Sequence, residues 1–252
     1  TPLFTISWLT GNVIITITYL LVFRRNLNDT HETSFLNIGR FIASLMRFKL
    51  VENFEYTIYR AKLEVFEMSR LNVNFENLKS ILIDIEDKCF YTNKGVSIKA
   101  LLRGAISQIK YLKKVFHLIE SGGSTITMQL ARTLFIPSNQ NKYIRKIFEI
   151  WIAIWLNRKF TKQEILNLYI VSVRYDYAVM GLSKAIKHFY GNINKKILTP
   201  EESFVLVERL SNVTGTHKQE RINYLINKST VELDLSKINR IYQTLKEQKK
   251  IK

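Results

Sequence analysis

Along most of this chain the apolar residues recur every three or four positions, and sustained alternation is missing, so the pattern predicts an all-α protein. Residues 74–90 read as a helix with Leu78, Ile81, Leu82 and Ile85 inward and Glu86-Asp87 arriving at its end. Residues 96–120 keep the helical period and carry Lys99, Arg103, Lys110, Lys113 and Lys114. After Gly122-Gly123, the Ser124 hydroxyl is placed to cap another helix. Ile126, Leu130 and Leu134 form its core side, Thr125, Gln129 and Arg132 a polar stripe, and Pro137 closes it. Residues 145–158 are apolar almost all round and predict a buried central helix in which Glu149 is the single acid. Thr161 with Glu164 forms a capping box, and Thr199-Pro200-Glu201-Glu202 opens a helix through Leu210. Past Asn212 the apolar pattern thins, and residues 213–252 read as a basic helical tail, touching a membrane or simply solvated.

The first 23 residues carry no charged side chain, and the run from Phe4 to Phe23 is long enough to cross a bilayer. Asn12 and four threonines dilute it, so a buried core helix is the other reading. No small-residue cleavage site comes after it, which favours a retained anchor over a removable signal. Residues 24–74 predict a juxtamembrane amphipathic segment in which Phe41, Leu45, Met46, Phe48, Phe54, Tyr56 and Tyr59 mix with basic residues. A plain helix pair packed on the domain fits this stretch equally well. Arg24 and Arg25 favour a cytoplasmic side for the residues C-terminal to them.

Charge narrows the partners. A formal net charge of +17 calls for something anionic: nucleic acid, an acidic membrane surface or a phosphate-bearing substrate. The basic residues are spread through the chain and no nucleic-acid motif accompanies them, so nucleic acid is not expected. The single cysteine, Cys89, excludes an internal disulfide, and the four histidines show no metal-ligand spacing. Ser107 and Lys110 match an S-x-x-K acylation motif without its K-T-G or S-D-N companions, which makes the match a coincidence. The 122–132 stretch reads either as an ordinary capped helix or as an anion seat, since glycines and a hydroxyl open its N-terminus. Glu86 and Asp87 sit against the helix dipole, a weak hint of function. Glu149 requires a partner or a raised pKa, and Arg145, four residues earlier, is placed to pair with it.

Several stretches in fixed order resemble the signatures of the peptidoglycan glycosyltransferases, the family 51 transglycosylases. Ile85-Glu86-Asp87-Lys88-Cys89-Phe90 with Gly95 resembles the first, and Gly122-Gly123-Ser124-Thr125-Ile126-Thr127-Met128-Gln129-Leu130-Ala131-Arg132 the second. Arg145-Lys146-Ile147-Phe148-Glu149 resembles the third, and Lys162-x-Glu164-Ile165-Leu166-x-x-Tyr169 the fourth. Gly181, Ala185 and His188-Phe189-Tyr190-Gly191 sit where the family has a G…A…YFG segment. The resemblance covers residues 75–212. Within it the chain departs from the family at Asn93 (usually His), Met128 (Gln), Ile170-Val171 (Leu-Asn) and Tyr175-Asp176 (an aromatic-Gly pair).

The resemblance implies a lysozyme-like, two-lobed helical domain behind an N-terminal membrane segment, with its smaller lobe partly embedded. It implies polymerisation of lipid II into glycan strands by inverting transfer, with undecaprenyl pyrophosphate released. Glu86 would be the base and Glu149 the second essential acid. Asp87, Phe90, Gly123, Ser124, Thr125, Gln129, Arg132, Arg145 and Lys146 would line the substrate. A divalent ion such as Mg2+ could assist, with no ligand set legible. The partners implied are lipid II, the growing strand, the bacterial membrane and other cell-wall synthesis proteins. The place implied is the outer face of the cytoplasmic membrane, opposite to the side Arg24 and Arg25 favour. Because the shell around the two acids has drifted, a weakened member that binds lipid II or scaffolds wall synthesis is the alternative.

Overall fold

The computed structural model describes residues 29–71, 74–107, 123–191, 197–213 and 218–251; the 1–23 stretch, Gly122 and Lys110 lie outside them. Among the described residues no helix is long and apolar enough to cross a membrane. The chain divides after Phe48 into two units. The first contains helix α1 (Asp29–Leu45), which exposes Phe41 and Leu45.

The second unit begins at Lys49, and its described residues are helical apart from one short ribbon and connecting loops. Its helices are α2 (Phe54–Arg70), α3 (Glu76–Glu86), α4 (Ile98–Ser107), α5 (Ile126–Phe135), α6 (Lys142–Lys159) and α7 (Lys162–Ser172). After the antiparallel ribbon β1 (Arg174–Asp176) and β2 (Val179–Met180) come α8 (Leu182–Tyr190), α9 (Pro200–Ser211), α10 (Gln219–Ile226) and α11 (Leu235–Glu247).

Helix α5 lies between α6 and α7 and is the pivot of one half of the core. Its Ile126, Met128, Leu130, Ala131 and Phe135 are fully buried, while Leu134 is only half-buried. Phe54 of α2 stacks against Phe135 and Trp155, which draws α2 onto the same core. In the other half, α3 packs its Leu78, Ile81, Leu82 and Ile85 face on α9.

The helix buried all round is α9, not α6. Phe204, Val205, Leu206 and Val207 are all inaccessible, and so nearly are Glu208 and Arg209. Its charged residues mask this in the hydropathy pattern. Helix α6 buries Phe148, Ile152, Ala153, Trp155 and Leu156 but turns Tyr143 and Ile147 outward.

Within the expected tail, the described residues 218–251 form two helices that pack on the core rather than standing off as an appendage. Helix α11 lies on α9, with Ile238, Tyr242 and Leu245 buried. The Tyr242 hydroxyl donates to the buried Glu208 Oε2 at 2.9 Å. Asp84 of α3 accepts from both the amide (2.7 Å) and the hydroxyl (2.6 Å) of Thr230. Such ties between distant segments are what a sparse apolar pattern conceals.

Candidate active site

Glu86 is the last residue of α3, half-buried, and its neighbour Asp87 is the C-cap. Glu86 Oε2 accepts from Gln129 Nε2 at 2.9 Å. Gln129 Oε1 in turn accepts from the Tyr169 hydroxyl at 2.6 Å. Burial, and then the Glu86 charge, push the Tyr169 phenol well above its usual pKa, so it stays protonated and donates. That fixes the amide's orientation and aims its N–H2 at Glu86.

Two cavities meet at this carboxylate. One, of about 350 Å3, is lined by Glu86, Ser124, Gln129, Arg132, Arg221 and Lys228 among others. The second, of about 310 Å3, includes Asp84, Glu86, Asp87, Ser124, Thr125 and Lys228. Glu86 therefore stands on a wall common to both.

Glu149 is 1 % exposed and ringed by cations. Arg145 Nε lies 3.2 Å from Oε1, Arg132 Nη1 3.8 Å from Oε1, and Lys146 Nζ 3.2 Å from Oε2. Arg145, the partner expected from spacing, is thus one of three. Lys146 also donates to Ser124 Oγ at 2.5 Å, which carries the cluster to the cavity wall. Burial lowers the Lys146 pKa; Glu149 opposes this, and Arg132 and Arg145 add to it. The arrangement leaves one buried anion beneath three partly exposed cations, a surface suited to a diphosphate. It does not suit a divalent ion such as Mg2+ at Glu149, whose oxygens already face cations. Among the described residues no group of three or more His, Cys, Asp or Glu could hold a metal.

The remaining expected residues divide by burial. Thr125, rather than Ser124, caps α5: its hydroxyl accepts from Met128 N and donates to Gly95 O at 2.6 Å. Ser124 is thereby left for Lys146. Gly123 does not use a positive φ; a Cβ there would stand 3.0 Å from both Ala100 O and Gly104 Cα, so the residue is small because α4 packs directly against it. Phe90 is fully buried with the Lys162 ammonium over its ring, and supports the loop from the core. Asp87 is buried too, and holds the start of α5 by accepting from Ile126 N at 3.2 Å.

The departures also acquire physical accounts. Met128 is wholly buried and faces the core, leaving Gln129 to face the cleft. Val171 is buried. Asp176 faces His188 at 3.5 Å and Arg209 at 3.9 Å. Asn93 donates to both Asp87 oxygens and accepts from Gly95 N.

A sequence model of the family described as Transglycosylase matches residues 54–235, most of the chain. The chain belongs to the transglycosylase family. The match begins at α2 and runs to the start of α11, wider at both ends than the motif-bearing 75–212. Relatives include penicillin-binding protein 1A of Pseudomonas aeruginosa, 33 % identical over 66 % of this chain and 21 % of that one. Penicillin-binding protein 4 of Bacillus subtilis is 32 % identical over 52 % of this chain and 20 % of its own length. A biosynthetic peptidoglycan transglycosylase of Burkholderia cenocepacia is 40 % identical over 45 % and 44 %. The chain thus spans less than half the length of these relatives.

Sequence reasoning missed two cations in this transglycosylase domain. Arg221 is held by Glu208 Oε1 at 3.3 Å and Ser211 Oγ at 2.7 Å, and Lys228 follows just past the end of α10; both line the Glu86 cavity.

Proposed function

We propose that this chain is a peptidoglycan glycosyltransferase that polymerises lipid II into glycan strands, working in a cleft between two lysozyme-like lobes. The observation that carries the reading is Glu86, oriented by Gln129 on a wall shared by two cavities. A polymerase must seat two lipid-linked sugars, donor and acceptor, on either side of one base. In the step, the acceptor 4-hydroxyl attacks the donor's anomeric carbon with inversion, and Glu86 takes the hydroxyl proton. The bond from that carbon to the diphosphate breaks, and undecaprenyl pyrophosphate leaves with the bonding pair. Negative charge grows on the leaving group as the sugar becomes oxocarbenium-like. Arg132, Arg145 and Lys146 are the cations to meet it, with Glu149 buried beneath to hold them apart and in place.

Arg221 and Lys228, which line the same cavity as Glu86 and Arg132, supply further positive charge for the substrate. Any Mg2+ would arrive on the diphosphate rather than in a protein cage. Residues 1–23 anchor the domain, the exposed Phe41 and Leu45 of α1 meet lipid, and catalysis takes place on the outer face of the bacterial cytoplasmic membrane. The growing strand and other cell-wall synthesis proteins are the partners; nucleic acid is not. The test is polymerisation of lipid II by purified protein in detergent: strands of increasing length support the reading, and lipid II recovered intact overturns it.

A further inference from the structure

The cleft chemistry leaves a buried cluster beneath Glu86 without a task. Asp87 is 9 % exposed, and burial raises its pKa despite four opposing contacts. Asn93 Nδ2 donates to its Oδ1 at 3.2 Å and its Oδ2 at 3.0 Å. Asn93 Oδ1 accepts from Gly95 N at 2.9 Å and from Lys162 Nζ at 3.1 Å. Lys162 comes from the first turn of α7, is itself half-buried, and lies 4.9 Å above the Phe90 ring. A single amide thus joins the end of α3, the loop after it and the start of α7.

The choice of an amide matters. A neutral imidazole has one donor and one acceptor lone pair, so it could not serve Asp87, Gly95 and Lys162 together. An amide oxygen accepts twice, and it brings no charge of its own. The cation for the buried carboxylate comes instead from Lys162. Asp87 is covalently next to Glu86, and it holds Ile126 N at the start of the helix that also carries Gln129. Movement of Asp87 would therefore shift both the base and the amide that orients it.

We propose that Asn93 and Lys162 are positioning residues for the reaction: by holding Asp87 as a fixed anion they set the direction in which Glu86 leaves the end of α3. The inference rests on Glu86 acting as the base. The other titratable groups facing this corner are Asp84, Glu86, Lys88 and Cys89 on α3 and its loop, and Lys228 from the C-terminal segment. Of these, Cys89 bonds the Asp87 carboxylate through its backbone N–H, beside the bonds from Asn93 and Ile126 N.

The experiment compares wild type with Lys162→Met, Lys162→Arg, Asn93→Leu and Asn93→His in lipid II polymerisation across pH. It adds carboxyl 13C NMR titration of Asp87 and Glu86, which needs no turnover. Losing the cation or the amide favours protonated Asp87. The acidic limb of kcat therefore moves to higher pH in Lys162→Met and Asn93→Leu, by roughly one unit. In both, kcat falls by roughly tenfold or more with KM nearly unchanged. Lys162→Arg restores the wild-type limb, and Asn93→His does not. A merely structural role would lower the folded fraction and leave the limb and both titrations in place. Unmoved Asp87 and Glu86 titrations in folded Lys162→Met overturn the proposal. Titrations that shift in the variants, when the wild-type protein itself does not polymerise lipid II, leave the coupling standing and reject the catalytic reading instead.

Discussion

Gln129 holds Glu86 by a 2.9 Å hydrogen bond that connects α5 to the end of α3, 43 residues away in the chain. The bond is directional because Tyr169 occupies the other end of the amide. Gln129→Leu removes the donor and is expected to lower kcat by roughly 10- to 100-fold with little change in KM. Tyr169→Phe lets the amide rotate and gives a smaller loss of the same kind. Steady-state polymerisation kinetics check both, and a loss confined to KM would show that Gln129 binds substrate without orienting the base.

The cluster around Glu149 sets the alkaline side. Lys146 has a lowered pKa, so its charge is lost at lower pH than for an ordinary lysine, and activity falls there. Glu149→Gln removes the group that supports its charge, so the alkaline limb moves to still lower pH. For stability the sign is reversed. A lysine whose folded pKa lies below its unfolded one binds fewer protons when folded, so stability rises with pH across that interval. Lys146→Met removes this rise. Thermal melts from neutral to alkaline pH check the slope. Glu149→Gln also leaves three cations facing one another and is expected to cost roughly 1–3 kcal/mol, less than for a fully buried cluster because the cations are partly exposed.

Much of this arrangement was legible in the sequence, because local chemistry decided it. The capping boxes at Thr161 and Thr199, the inward face of α3 and the delivery of Glu86 and Asp87 at its end depend on residues within a turn or two. The exchange of cap between Ser124 and Thr125 was not legible, since it is settled by Gly95 O and Lys146 from other segments. Nor was the burial of α9, where Glu208 and Arg209 look like a solvent face until Arg221 of α10 and Tyr242 of α11 meet Glu208, and Asp176 of β1 meets Arg209. Arg221 and Lys228 escaped notice for the same reason: their segment reads as a tail.

Those two cations offer a direct check on the cavity's charge. Arg221→Ala and Lys228→Ala should each raise KM for lipid II several-fold with kcat less affected, and they should weaken the salt dependence of KM. Equal losses in KM at every ionic strength would mean that the charges do not meet the substrate.

Gly123 tests packing. A methyl at that position meets the α4 backbone at 3.0 Å, and neither Ala100 O nor Gly104 Cα can yield as a flexible side chain would. Gly123→Ala should destabilise by about 1–3 kcal/mol in denaturant melts. Gly104→Ala, on the facing helix, should do the same, and an unchanged midpoint in both would refute the close contact.

Cys89 is exposed, lines the second cavity beside Glu86 and Asp87, and is the chain's single cysteine. A maleimide should label it once and block polymerisation, and lipid II should slow the labelling. Labelling at an unchanged rate with saturating lipid II would place the substrate elsewhere.

The role of Glu86 as the base carries everything proposed for the cleft. It is decided by lipid II polymerisation with Glu86→Gln, with thermal melting and lipid II binding recorded on the same preparation. The amide keeps the shape of the side chain but cannot take a proton. The expected outcome is an unchanged melt, retained binding and a loss of at least about 10²-fold in kcat. Polymer formed at the wild-type rate by the folded variant would remove Glu86 from the chemistry.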